Sequence, residues 1–333
     1  MLARRILLSC IVGLVAVAGA SRADAADFEW KLFTFFNVND MPTNFHRQFA
    51  EDLTKATNGR LKVSVYAGGE LPYKISDVLR VVSGNQVQLG DISPGAHLGE
   101  MPGMNVFDVP FACTSMEGFA KAVDAARPTI DGYLKEKYDV VTLLHWTMPA
   151  QQLWLSKKPQ SLDDIKGNKL RMWSRMHTGM LQKLGATGVT VTAAEVVAAL
   201  DRKVIDGAIT ATIPAYDWRL YDNAKYGYLL SFQMGHQLIG VNGAEFRKLP
   251  ADLQKIVLDK SAEWQVRYIK AIEDADLAAR ARFKDKGGDL VEPAAADRKK
   301  ARELMQPILE QWAKENGEIA QKLLTTVSNA CNN

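Results

Sequence analysis

The run Leu61-Lys62-Val63-Ser64-Val65-Tyr66 alternates apolar and polar side chains, the period of a half-buried strand. Upstream, Phe45, Phe49 and Leu53 recur at helical spacing, and Gly59 predicts the stop of that helix. Lys31 to Phe36 is predicted as a strand ahead of it. Gly68-Gly69 reads as a turn, Ile75 to Val82 as a helix and Val87 to Ile92 as a second strand. Strands alternating with helices are the α/β pattern.

A second block repeats the alternation. Val140 to His145 and Gln152 to Ser156 read as extended, and Leu170 to Trp173 as a strand leading to a helix that ends near Gly185. Val189 to Val191 is another strand. Thr192-Ala193-Ala194-Glu195 has the form of a capping box opening a helix through Leu200. Ala208 to Thr212 is a further strand. From Pro250 to about Lys284 no strong breaker occurs, which predicts one long helix. Lys299 to Leu324 is a last helical stretch with a kink or split expected at Pro307. The length suits two modest lobes. No clean linker separates them, so the chain is expected to cross between lobes more than once. The expected division is 26–145 mainly in lobe I, 146–240 mainly in lobe II, and 241–333 as the long helix and C-terminal helices.

The N-terminus changes this picture. Arg4 and Arg5 precede the apolar run Ile6 to Val17, and Ala23-Asp24-Ala25 is an A-x-A cleavage signal, so residues 1–25 read as an export signal. The run is shorter than the roughly 20 residues of a membrane span. Cys10 precedes most of that run, whereas a lipid-modified cysteine should follow it. Loss of the leader removes three arginines and one aspartate, which takes the formal charge from +3 to +1. That balance carries no basic footprint for nucleic acid or for an anionic membrane. A soluble periplasmic protein is expected. Cys113 and Cys331 remain, and an oxidising compartment permits a bridge without requiring one.

The candidate chemistry is sparse. His46, His97, His145, His177 and His236 are scattered and form no metal-binding spacing. Gly68-Gly69 lacks the Gly-Lys-Ser/Thr of a phosphate loop, and no nucleophile elbow occurs. No cofactor, metal or enzymatic activity is expected. Arg171, on the apolar run Leu170 to Trp173, is costly to bury without a partner. It pairs either with an internal carboxylate or with one brought from outside. Trp173, two residues on, is expected on the same face of the strand as Arg171.

Five motifs, in order, resemble the periplasmic solute-binding subunits of tripartite ATP-independent periplasmic (TRAP) transporters, the C4-dicarboxylate-receptor type. They are Thr57-Asn58-Gly59-Arg60 through Tyr66-Ala67-Gly68-Gly69-Glu70-Leu71; Asp108-Val109-Pro110-Phe111; Asp164-Ile165-Lys166-Gly167 through Arg171; Ala194-Glu195-Val196 through Val204-Ile205-Asp206-Gly207; and Leu249-Pro250-Ala251-Asp252-Leu253-Gln254. The resemblance covers essentially the whole mature chain. It implies a two-lobed periplasmic binding protein fold of the α/β class, with an interlobe cleft and a long helix spanning both lobes. It also implies that Arg171 binds a ligand carboxylate, that the lobes close over an organic acid, and that the closed receptor docks on TRAP membrane subunits.

Thr210 stands where the family has a ligand-contacting Asn, Gln151 where many members carry a second arginine, and Val197 where an aromatic is usual. Two polar handles are thereby weakened. The expected ligand is a monocarboxylate with a less polar body, such as an aromatic or 2-oxo acid. Asn37, Glu70, Ser93 and Phe232 complete the candidate set. A sensor of the same fold stays an alternative. An enzyme using Arg171 as a clamp would need a nucleophile and base that no motif supplies.

Overall fold

The computed structural model describes residues 26–332, apart from 175 and 192. The expected export signal and the Thr192 end of the expected capping box lie outside those residues.

The chain enters as β1 (Phe28–Phe33), α1 (Met41–Ala56), β2 (Leu61–Tyr66), α2 (Val78–Ser83), β3 (Leu89–Ile92), α3 (Met116–Tyr138) and β4 (Val140–Met148). It continues as β5 (Gln152–Leu155), β6 (Lys169–Met172), α4 (Met176–Lys183), β7 (Thr187–Thr190), α5 (Val196–Asp201), β8 (Gly207–Thr210), α6 (Thr212–Asp217), α7 (Leu220–Asn223) and β9 (Tyr226–Tyr228). The last part is β10 (Gly235–Asn242), α8 (Gly243–Lys248), α9 (Ala251–Asp285), β11 (Asp289–Val291) and α10 (Ala295–Asn332).

These strands form two sheets, one per lobe. Lobe I has the order β2-β1-β3-β10-β4 and lobe II the order β11-β9-β5-β8-β6-β7. The α/β class and the two-lobed architecture are as expected. The crossings lie elsewhere. β4 stays in the lobe I sheet to Met148, and β10 rejoins that sheet at Gly235. The expected divisions at 145/146 and 240/241 therefore move to 149–151 and 229–234. The reason is that Gly235 through Asn242 pairs antiparallel with β4, and Leu238 through Val241 with β3, a pairing without a local sequence signal. The two crossings also bond to each other: Gln151 N–H donates to the Gln233 carbonyl at 2.9 Å, and Phe232 N–H to the Gln151 carbonyl at 3.3 Å.

Two helices bind the lobes together. α9 runs for 35 residues, about 52 Å at 1.5 Å per residue. Its Trp264, Tyr268 and Ile272 pack into the lobe I core with Trp30, Phe49 and Trp146. Phe283, near its end, packs into lobe II, 4.7 Å from the Trp154 ring. α10 packs on α4 in lobe II and on α3 in lobe I. Its break lies at Gly317 (φ 82°, ψ −169°) and not at the expected Pro307, which the helix accommodates. Glycine alone adopts that backbone region readily. α3, to which the sequence reading assigned nothing, is a 23-residue helix with Pro128 inside it. Phe119, Ala122, Val123, Ala126, Ile130 and Leu134 bury one face of it.

Cys113 and Cys331 form a disulfide that fixes the end of α10 beside the start of α3. A cross-link closing so long a loop stabilises by roughly 2–4 kcal/mol. Among the described residues no helix is long and apolar enough to cross a membrane.

Candidate functional site

β6 lies between β7 and β8, one strand in from the edge of the lobe II sheet, and places Arg171 opposite Val189 and Ala208. It is only 4 % exposed. Its Nε donates to the Val191 carbonyl and its Nη1 to the Ile209 carbonyl, both at 2.9 Å. The Trp218 ring lies under the guanidinium at 5.3 Å. These contacts orient the planar fork without neutralising it. Among the described residues Arg171 has no ion pair with a carboxylate, and burial alone pushes its pKa down to about 10. Of the two arrangements the sequence left open, the internal pair is not seen.

Trp173 lies one residue past the end of β6 and is 44 % exposed, so the expected shared strand face is not realised. The ring beside the guanidinium is Trp218, which follows α6, two strands and three helices downstream in sequence. Trp173 instead packs edge-on against His177 at 4.9 Å, and its indole N–H donates to Gln151 Oε1 at 3.2 Å. Gln151 thus fixes the Trp173 ring, and its carbonyl oxygen is already engaged.

Between the lobes is a cavity of about 250 Å³. Ser93, Gly95 and Asp108 line it from lobe I, with Gln237 from β10 of the same lobe, Gln151 at the crossing and Trp173 from lobe II. Of the candidate residues, Ser93, Gln151 and Trp173 meet here. Arg171 and Thr210 lie on adjacent strands, both buried, and neither is among the residues that line this cavity. The Thr210 carbonyl accepts the Trp154 indole N–H at 2.8 Å. Phe232 is fully buried and packs against His177 at 5.8 Å instead of facing the cavity.

Asn37 and Glu70 are exposed turn residues. Asn37 donates from its backbone and side-chain nitrogens to Asp40 ahead of α1, and Glu70 accepts from the Ala67 N–H at 2.6 Å. Burial pushes the Asp217 carboxyl on α6 of lobe II upward, against the Arg282 charge and with a smaller push from Asp40.

Sequence reasoning missed a buried polar chain beside the cavity. His177 Nε2 donates to Gln233 Oε1 at 2.6 Å, and Gln233 Nε2 donates to Asp108 Oδ1 at 3.4 Å. Burial pushes His177 down to about 4, with the Arg171 charge adding to the effect against the Gln233 bond. Burial pushes Asp108 up to about 7, opposed only by the Gln233 amide. An acid inside the otherwise apolar run Val106 to Ala112 was the signal available for Asp108. Its loop is held in place by Phe111, which adopts φ +65° and donates its N–H to the Phe232 carbonyl at 2.6 Å. No cluster of His, Cys, Asp or Glu among the described residues could hold a metal ion.

Comparison with known proteins agrees with this architecture. A solute-binding protein of Sulfitobacter sp. (strain NAS-14.1) is 25 % identical over 88 % of this chain and 89 % of its own length. A monocarboxylate 2-oxoacid-binding periplasmic protein of Nostoc sp. is 24 % identical over 82 % of this chain and 76 % of its own. Among solved structures, a Bordetella pertussis extracytoplasmic solute receptor binding pyroglutamic acid superposes with a TM-score of 0.78, at 25 % identity, covering 90 % of this chain and 99 % of that one. A TRAP periplasmic solute-binding protein of Desulfovibrio salexigens gives a TM-score of 0.84 at 22 % identity, covering 92 % of this chain and 96 % of that one. The pattern of the bacterial extracellular solute-binding proteins, family 7, matches residues 36–316. The chain belongs to that family, the solute-binding proteins of TRAP transporters.

Proposed function

We propose that this protein is a periplasmic receptor that captures a small organic monocarboxylate between its lobes, holds the carboxylate on Arg171, and delivers the closed complex to TRAP membrane subunits. The observation that carries the reading is the buried Arg171 guanidinium, aimed by two carbonyls and lacking an anionic partner among the described residues. A guanidinium held in this way matches a carboxylate through two parallel hydrogen bonds. The cavity volume of about 250 Å³ falls below the usual range for drug-sized ligands, which favours a compact acid. Trp173 supplies an apolar wall for the rest of it. The Nostoc and Bordetella relatives, named for 2-oxo acids and pyroglutamic acid, support the same ligand class.

Calorimetry of the mature protein with monocarboxylates tests this. Arg171→Ala should weaken binding by roughly 2–5 kcal/mol, the loss expected on truncating one partner of a buried charge pair. Arg171→Lys should fail nearly as badly, because an ammonium does not reproduce the planar fork. A lysine variant binding within about threefold of wild type, under 1 kcal/mol, would rule out Arg171 as the anchor.

A further inference from the structure

Two acceptor oxygens on the cavity wall have no partner. Asp108 Oδ2 and Gln237 Oε1 are each buried and without a hydrogen bond among the described residues. Their side chains are both 8 % exposed and both line the same cavity. They come from different elements: Asp108 ends a short 3-10 turn over Val106–Asp108, and Gln237 lies on β10. Gly95 lets the carboxyl sit where it does, since a Cβ there would meet Asp108 Oδ2 at 2.3 Å.

Buried polar atoms without partners are uncommon in folded proteins, and each asks for an explanation. An amide oxygen can only accept. A carboxylate accepts as well, and the single long bond from Gln233 leaves Asp108 short of donors. Its pKa of about 7 reflects the same shortage. Arg171 lies in lobe II, so its side of the site and the Asp108–Gln237 side belong to opposite lobes.

We propose that the Asp108 carboxyl and the Gln237 amide form a second recognition point, which selects acids carrying an uncharged N–H or O–H donor besides their carboxylate. The inference rests on the carboxylate-receptor reading and narrows it. A lactam acid or a hydroxy acid satisfies both ends of the site. With Asp108 ionised, above about pH 7, a 2-oxo acid of the same shape offers an acceptor where the wall already has acceptors, and leaves them unpaired when the cleft closes. A site built to bond a donor discriminates strongly against the analogue that lacks it.

The test uses matched pairs on the mature protein: lactate against pyruvate, and pyroglutamate against its lactone, in which a ring oxygen replaces the N–H. Calorimetry at about pH 8, where the Asp108 carboxyl is mostly ionised, should show the donor-bearing member of each pair binding at least tenfold tighter. Gln237→Met and Asp108→Leu, which keep size and remove an acceptor, should each shrink that ratio. Gln237→Met serves even where the more deeply placed Asp108→Leu does not fold. Binding of both members within threefold of each other in wild type overturns the inference and leaves the carboxylate reading standing. A tenfold ratio that survives in every folded variant also overturns it. Wild-type protein that binds none of the four acids removes the carboxylate reading, and this inference with it.

Discussion

Asp108 is held at a thermodynamic disadvantage. Its folded pKa is about 7, against about 3.9 for an unperturbed aspartate. Between those values the folded protein keeps a proton that the unfolded chain has released. Stability from this group is therefore greatest below pH 4, falls as pH rises, and levels off above pH 7. A displacement of this size is worth about 4 kcal/mol, to order of magnitude. The buried histidines act in the opposite sense. His145, His177 and His236 are all pushed down by burial, so the stability they contribute is present above their unfolded pKa of about 6.5 and is lost as pH falls. Comparing Asp108→Asn with wild type cancels the histidines and isolates the carboxyl. Without ligand, the variant should be more stable than wild type at pH 8, and the gap should close toward pH 4. Urea unfolding at the two pH values measures it, and a gap independent of pH would show that Asp108 ionises freely. Natural proteins often hold a group at a cost to stability where the site needs it.

The elements differ in how much of themselves they show in sequence, and the reason is periodicity. β2 was legible to the residue because it alternates against one covered face. α9 was legible because 35 residues pass without a breaker. α3 was not, because Pro128 and Gly132 interrupt its pattern while burial against α10 holds the helix together. β10 was not, because Leu238 to Val241 is an apolar run covered on both faces, which has no strand period. At the site, Arg171 and Trp173 stood out as residue types in a motif. Trp218, Gln233 and Gln237 did not, because each is brought in by the end of α6, by a crossing or by strand pairing rather than by spacing. α10 shows the limit of single-residue rules: proline was expected to break it, and glycine does. No atom lies within 4 Å of where a Cβ on Gly317 would be, so substitution there meets open space and strain only in the backbone. Gly317→Ala should then cost about 1–3 kcal/mol. Its chemical unfolding midpoint should fall. An unchanged midpoint would mean that α10 can straighten without losing its contacts to one lobe.

Ligand capture by the whole molecule depends on how the lobes are joined. Four segments cross between them: residues 149–151, residues 229–234, α9 and α10. The first two are short, lie side by side and bond to each other, which makes them the place where backbone dihedrals can change together. Ser231, at φ +50°, already holds an uncommon backbone conformation there. α9 resists shear, because its two ends are buried in different cores. Motion is thus restricted to bending about the paired crossings, with α9 and the α10 break at Gly317 yielding a little. Hinge closure of this kind buries a ligand between lobes that otherwise stay rigid. Without ligand, the two sides of the site have little to hold them together: Asp108 and Gln237 keep unpaired oxygens on one side, and Arg171 keeps an unpaired charge on the other. The free protein should therefore populate an open form. Small-angle scattering should give a smaller radius of gyration at saturating ligand than without it, and Trp173 fluorescence should change over the same titration. A radius that stays constant while calorimetry reports binding would mean that the receptor is closed beforehand, and that ligand enters by local movement of the Trp173 segment.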